Sequence, residues 1–420
     1  MPSLGVLWSQ YGPYHFARVA ALQSRADSLE IHAIEIASRT HDYQWDRSGG
    51  TVNLITLFPG AVAESVSFWR VFLRTRRTFA NLKLDVCFIP SYSPKQPLAA
   101  LLAARSLGLR TVLMIDSHFG TSQSRIFGTW LKRRLVRMFD AALVGGTPQR
   151  VYVESLGLPR ENIFIGYDVV DNDFFARRAG EVKARAAEMR RQYDLPQRYF
   201  LSLGRFLDKK NLNTLIRAYR KFLDGATGTQ THLVMVGSGE TEAHLRLLCR
   251  ELGLPVYDKA NPILPVQGED PAGRATGVHF YGFRQIEENA IFYALADAFI
   301  LPSSSEEWGL VVNEAMSCGL PIVVSDRVGC AEDLLKLGHP PETERNPHWS
   351  PPLTDRIRQN GFVFDPESVE SLAEELGILD ADPMLRQSMG QASRLIIGSF
   401  SCEDFARNAL LAAKTALTAG

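Results

Sequence analysis

The chain lacks several features that would each define a protein class. Its 420 residues hold only five cysteines, Cys87, Cys249, Cys318, Cys330 and Cys402. None sits in a C-x-x-C pair or beside a histidine at zinc-ligand spacing, so neither a disulfide framework nor a structural zinc site is indicated, and reduced thiols are expected. There is no excess of charge of either sign: Lys plus Arg and Asp plus Glu number 46 each. That balance argues against a dedicated nucleic-acid binder, which carries a basic surplus. No uninterrupted apolar run reaches the roughly 18 residues of a membrane-spanning helix. A strand-like run begins at Leu4 without a charged leader and long apolar core ahead of it, so no signal peptide is expected and the expected location is the cytoplasm. That run is followed by Y-G-P-Y-H, not G-x-G-x-x-G, which speaks against a dehydrogenase-type dinucleotide turn.

What is present is a regular alternation. Short apolar runs rich in β-branched residues (Leu4–Trp8, Ile31–Ile36, Val86–Ile89, Thr111–Ile115, Ala142–Val144, Ile163–Ile165) are spaced by helix-patterned stretches. A second series follows at Tyr199–Leu203, His232–Val236, Val278–Tyr281, Ala298–Leu301 and Ile322–Val324. Such a pattern predicts βαβ units with parallel sheets covered on both faces. Two series, in a chain too long for one core, predict two α/β domains. The break is expected near 170–195, a stretch that follows the last strand of the first series and reads as a charged, alanine-rich helix over Ala179–Arg191 ending at Asp194-Leu195-Pro196. Two proline-rich segments, Pro255–Gly277 and His339–Pro352, read as surface insertions. The tail from Ser399 reads as an amphipathic helix with Ser401 as N-cap and Glu403 and Asp404 in its first turn.

The most informative segment is F-I-L-P-S-S-S-E-E-W-G-L-V-V-N-E-A-M-S-C-G-L-P-I-V-V-S-D, Phe299 to Asp326. A strand ends at Leu301 and Pro302 prevents its continuation. Gly309 then opens a helix whose first amides, at Gly309, Leu310 and Val311, suit a phosphate through hydrogen bonding and the helix dipole. Glu306 stands on the loop above that point. Glu314, eight residues on and one turn into the helix, can present a carboxylate to a diol such as a ribose. A second cluster, L-S-L-G-R-F-L-D-K-K-N, sets Arg205 and Lys210 after a strand that ends at Gly204. A planar guanidinium and a point ammonium together suit a diphosphate, and they offset the charge that grows on it as a leaving group.

The pair G-R-F-x-x-x-K-N and E-x7-E, followed by A-M-S-C-G-L-P-I-V-V-S-D, closely resembles the retaining GT-B glycosyltransferases of family 4, the glycosyl transferases group 1. V-G-S-G-E (Val236–Glu240), Y-G-F (Tyr281–Phe283), Y-A-L-A-D-A-F-I-L-P-S (Tyr293–Ser303) and N-G-F-V-F-D-P (Asn360–Pro366) follow in that family's order. The resemblance implies two Rossmann-like doubly wound domains facing a central cleft: an acceptor-binding domain over 1–190, a donor-binding domain over 195–398, and a helix over 399–420 that crosses back. It implies a hexosyltransferase that retains anomeric configuration, with a nucleotide-sugar donor as substrate, UDP-linked in preference to GDP-linked, no cofactor, no metal and an unknown acceptor. Arg205 and Lys210 would bind the diphosphate, Glu314 the ribose, and Glu306 the transferred sugar. Gly309, Leu310 and Val311 would meet phosphate and sugar, and the loops holding Gly237 and Phe283 would border the base. In the first domain, Gly12 matches the glycine loop and His118 the histidine that faces the donor sugar. There the chain departs from the family pattern: Tyr11-Gly12 replaces two adjacent glycines, and Asp116-Ser117-His118 is an unusual setting.

Other features admit plainer readings. His15, at a helix start, is a candidate for facing the acceptor. Asp171-Asn172-Asp173 has the D-x-D spelling of metal-dependent transferases but reads as a turn. Arg70–Arg77 and Lys132–Arg137 read as solvated helix faces, with peripheral contact to an anionic membrane as the alternative. Arg39–Pro59, with Tyr43, Trp45 and Phe58, is a candidate acceptor region. Two further functions stay open, a catalytically silent nucleotide-sugar-binding partner and a GT-B nucleotide-sugar epimerase.

Overall fold

The computed structural model describes residues 2–26, 29–40, 52–93, 95–122, 126–226, 228–259, 275–338 and 355–418. Most of both proline-rich segments, and Tyr43 and Trp45 of the candidate acceptor region, lie outside the described residues. The chain divides into two compact units, Met1–Asp171 with Phe400–Gly420, and Asn172–Ser399.

The first unit is built on a seven-stranded, wholly parallel sheet: β1 (Ser3–Trp8), β2 (Glu30–Arg39), β3 (Leu54–Val62), β4 (Val86–Pro90), β5 (Arg110–Ile115), β6 (Ala141–Val144) and β7 (Ile163–Ile165). Its order is β3-β2-β1-β4-β5-β6-β7, so the winding reverses between β1 and β4. Ligands collect beyond the carboxyl ends of strands at such a reversal, and Gly12 lies there. Helices α2 (Phe68–Asn81), α3 (Lys95–Ser106), α4 (Ile126–Val136) and α5 (Thr147–Ser155) cover one face of the sheet, around Val71, Phe79, Leu101, Val136 and Val153. The other face is covered by α1 (Pro13–Arg25) and by the last helix, Cys402–Thr418. Alanines 406, 409, 412, 413 and 416 are all buried, and their small side chains let this last helix lie close to the sheet. Its start is fixed by a reciprocal cap: Asp404 N donates to Ser401 Oγ at 3.2 Å and Ser401 N donates to Asp404 Oδ2 at 3.1 Å.

The second unit holds eight strands: β8 (Arg198–Leu203), β9 (Thr231–Val236), β10 (Val256–Asp258), β11 (Val278–Phe280), β12 (Ala298–Leu301), β13 (Ile322–Ser325), β14 (Ile357–Arg358) and β15 (Gly361–Phe364). Their order is β10-β11-β9-β8-β12-β13-β15-β14, parallel except for the terminal β14–β15 hairpin. Here the reversal falls between β8 and β12, which pair through Ala298–Phe200 and Phe299–Leu201.

Two expectations about organisation change. The charged helix near 179–191 is two helices, α6 (Asn172–Ala184) and α7 (Ala186–Tyr193), and both belong to the second unit. The division falls at Asp171/Asn172, at the early end of the 170–195 interval and ahead of the 190/195 bounds that the resemblance implied. The physical reason is packing: the Phe175 ring meets Tyr293 edge-on at 6.3 Å, Cys318 Sγ donates to Phe175 O, and Arg190 donates to the carbonyls of Pro196 and Leu295. Strands β3, β10, β14 and β15 also lie outside the runs read as strands. β3 is an edge strand that carries Pro59 and Gly60, which edges tolerate and which mask a strand pattern.

Candidate functional site

In the second unit the loops after β8, β9, β11 and β12 emerge side by side, because those strands are neighbours. Gly204 has φ 148° and its amide donates to Val236 O at 3.0 Å. Gly237, at φ 136°, packs so tightly on this turn that a Cβ would stand 1.9 Å from Gly204 O. Gly237 N in turn donates to Gly282 O at 2.8 Å, which draws the loop carrying the exposed Phe283 alongside. These close approaches, more than sequence neighbourhood, bring Arg205, Gly237 and Phe283 to one edge of the sheet.

From β12 the chain enters Pro302–Trp308, and the structure joins this loop to the lysines after β8. Lys210 Nζ forms an ion pair with Glu306 Oε2, and both side chains are nearly buried. Ser303 Oγ also donates to Glu306 Oε2, at 3.2 Å. Lys209 Nζ lies 2.8 Å from Glu307 Oε2. Asn211, in the left-handed region at φ 52°, donates through Nδ2 to the carbonyls of Pro302 at 3.2 Å and Pro366 at 2.9 Å. Glu306 is further fixed by its main chain, which donates to Arg327 O and accepts from Gly329 N.

Gly309 caps α11 (Leu310–Ser317) at φ 99°, a conformation that other residues rarely adopt. The helix therefore starts one residue after the buried Trp308, whose indole N–H donates to Asn313 Oδ1 at 2.9 Å. Glu314 lies in the following turn, fully buried. Burial, together with the negative charge of Glu314, raises the pKa of the Cys318 thiol far above the ordinary range, so this cysteine is no nucleophile.

In the first unit, Gly12 and His118 follow β1 and β5, on the same edge of that sheet. Gly12 N donates to His15 Nδ1 at 2.9 Å, so His15 caps its own helix. An Nδ1 that accepts leaves the proton on Nε2. Burial and the neighbouring Arg18 charge push His15 down to a pKa of about 3. Tyr11 is buried, donating its amide to Glu35 Oε2 at 2.9 Å and its hydroxyl to Val6 O at 2.9 Å. His118 Nδ1 accepts from Gly120 N at 3.1 Å, and Thr121 brackets its backbone. Asp171 and Asp173 flank the start of α6, where Asn172 donates to Ile397 O at 3.1 Å. Among the described residues, no group of three or more His, Cys, Asp or Glu could hold a metal ion.

Sequence reasoning singled out Glu306, Glu314, Arg205 and Lys210 but passed over Lys209, Glu307, Ser303 and Asn211. The signal for the first two was the doubled spelling, K-K on one segment and E-E on the other.

Two Rossmann-like doubly wound units, the second with a lysine–glutamate cluster and a glycine-capped helix at its switch point, define a GT-B fold. Residues 197–382 match the family described as glycosyl transferases group 1. A sulfoquinovosyl transferase of Arabidopsis thaliana is 37% identical over 27% of this chain and 19% of its own length. A lipopolysaccharide core biosynthesis glycosyltransferase of Rhizobium meliloti is 27% identical over 48% and 46%. The chain thus spans less than half the length of these curated relatives. The Anabaena protein HepE, in complex with UDP-glucose, has the same fold, with a TM-score of 0.65 and 14% identity over 98% of this chain and 98% of that one.

Proposed function

We propose that the chain is a retaining, metal-independent glycosyltransferase that moves a hexose from a nucleotide-diphosphate sugar, UDP-linked in preference to GDP-linked, to an acceptor hydroxyl. The observation that carries this reading is the meeting of Lys210 with Glu306 beside the Gly309 helix start, at the switch point of the second unit. Arg205 and Lys210 hold the diphosphate. The amides of Gly309, Leu310 and Val311 add hydrogen-bond donors, and Glu314 takes the ribose hydroxyls. Gly237 and Phe283 border the base. Glu306 approaches the sugar.

The sugar–phosphate bond at the anomeric carbon breaks and the bond to the acceptor oxygen forms on the same face. The acceptor proton passes to the departing phosphate oxygen, so no side-chain nucleophile is needed. Arg205 and Lys210 stabilise the charge that accumulates on the leaving diphosphate.

Calorimetry with UDP-, GDP-, ADP- and dTDP-linked sugars tests the reading. Selective binding, followed by transfer with the anomeric configuration kept, supports it. An epimerised nucleotide sugar as product would make the chain an epimerase instead. Tight binding with no turnover toward any acceptor would make it a silent partner.

We further infer a cytoplasmic protein that rests on an anionic membrane. Helices α2 and α4 pack on the same core and carry no acidic residue. Between Arg70, Arg74, Arg76 and Arg77 they expose Trp69 (68%) and Leu73 (64%), and beside Lys132, Arg133 and Arg134 they expose Trp130 (61%) and Leu131. Exposed tryptophan and leucine among cations suit a lipid interface. The rhizobial relative's role in lipopolysaccharide core biosynthesis agrees with a membrane-borne acceptor. Sedimentation with vesicles containing phosphatidylglycerol, and none with phosphatidylcholine alone, is the expected result; equal recovery with both would sink the inference.

A further inference from the structure

The Lys210–Glu306 pair has a neighbour of the same kind. Consecutive lysines on one segment meet consecutive glutamates on the other, Lys209 with Glu307 and Lys210 with Glu306. The pairs differ in their access to water. The inner side chains are 13% and 10% exposed, and the outer ones 34% and 37%. The main chain ties the same place together, because the Ser304 amide and hydroxyl both donate to Lys209 O, at 2.8 and 3.2 Å. Burial works to lower the Lys209 pKa, but the Glu307 hydrogen bond and the charges of both glutamates outweigh it and hold it above the ordinary lysine value. Burial likewise opposes ionisation of Glu307, and Lys209 overcomes it and holds that carboxyl low. The outer pair is therefore charged throughout the neutral range.

An anion that engages Lys210 has to compete with Glu306 for it. Once Lys210 turns to the anion, the inner pair no longer links the two loops. We propose that Lys209 and Glu307 are positioning residues: the outer pair keeps the Pro302–Gly309 loop in register with the lysine segment while Lys210 exchanges the Glu306 carboxylate for a phosphate oxygen. The inference rests on the nucleotide-sugar reading above and extends it to residues that need not touch the ligand.

Simple electrostatics makes the opposite forecast for one variant, and that makes the idea testable. Glu307→Gln removes a negative charge beside the site, so attraction alone would tighten anion binding. Loss of register weakens it. The experiment is calorimetry of UDP, GDP and inorganic pyrophosphate on wild type, Glu307→Gln, Lys209→Met and the exchanged pair Lys209→Glu/Glu307→Lys. Hydrogen exchange of the 302–309 segment in ligand-free protein accompanies it. Both single variants are expected to bind up to about fivefold more weakly, the scale of a partly exposed pair, and to exchange that segment faster, with thermal stability unchanged. The exchanged pair restores both. Glu307→Gln binding as tightly as wild type or tighter, or an unaltered exchange rate, overturns the proposal. If wild type binds pyrophosphate but neither nucleotide, the nucleotide-sugar reading fails, and the same variants still decide the role of the outer pair.

Discussion

Lys210 and Glu306 meet across two loops that are 96 residues apart in sequence, in an ion pair almost removed from water. A lysine so placed is a cation held at the site, ready to exchange the carboxylate for the phosphate oxygen of a leaving group whose charge it then stabilises. Replacing Lys210 by alanine is expected to lower kcat by about 10²–10³, the scale of losing one such donor, with a smaller rise in the donor KM. Steady-state kinetics checks this, and an effect confined to KM would mean that Lys210 binds ground and transition states alike.

Glu314 is fully buried one turn into α11. A hydrogen bond to a charged group contributes about 1.5–3 kcal/mol, so Glu314→Ala is expected to weaken nucleotide-sugar binding about 10- to 100-fold. Calorimetry on the folded variant measures it directly. Unchanged affinity would remove Glu314 from the ribose.

Gly237 allows no side chain. An alanine Cβ would lie 1.9 Å from Gly204 O, and the backbone at φ 136° disfavours any other residue. Gly237→Ala is expected to cost at least ~1–3 kcal/mol from the backbone conformation alone. Denaturant titration reads the loss. Full retention of stability would show that the two loops part without cost.

His15 makes the first unit sensitive to acid. Burial and Arg18 hold its pKa at about 3 in the folded protein, against 6.5 for an ordinary solvated histidine. Between those values the unfolded chain binds the extra proton, so stability rises with pH and is lost as pH falls from about 6.5 toward 3. His15→Gln keeps a side-chain acceptor for Gly12 N and removes the titration. The variant is expected to show a flatter stability profile over that window; a profile as steep as wild type's would assign the acid sensitivity to other groups.

Chelation separates the two transferase chemistries. Transfer is expected to proceed at nearly the same rate in EDTA. A collapse that added divalent ions reverse would assign Asp171 and Asp173 as ligands.

Much of the candidate site was legible locally. Gly309 marks a helix start, Pro302 a strand end, and the interval from Glu306 to Glu314 places two carboxylates about one helix terminus. These are short-range signals, set by the conformational limits of glycine and proline and by the spacing of a helical turn. The alternation of apolar runs similarly announced two parallel α/β sheets. The domain boundary was legible only to within the interval 170–195, because a charged, alanine-rich helix pattern is the same whichever core it covers. Tertiary contacts, those of Phe175 and Arg190 among them, assign α6 and α7 to the second unit. Strand β3 was hidden by Pro59 and Gly60, which an edge position tolerates.

By itself, then, the sequence determined the type of most elements, the chemical character of the loops at the candidate site and the glycine turn that opens its helix, since these depend on neighbours a few residues away. Tertiary structure alone decided that β8 lies beside β12, and with that which lysine meets which glutamate. It also decided that Tyr11 is held by Glu35 and that His15 is a neutral helix cap. Strand order and burial are properties of the whole packed unit, in which residues roughly a hundred positions apart become neighbours only after both sheets have closed around their cores.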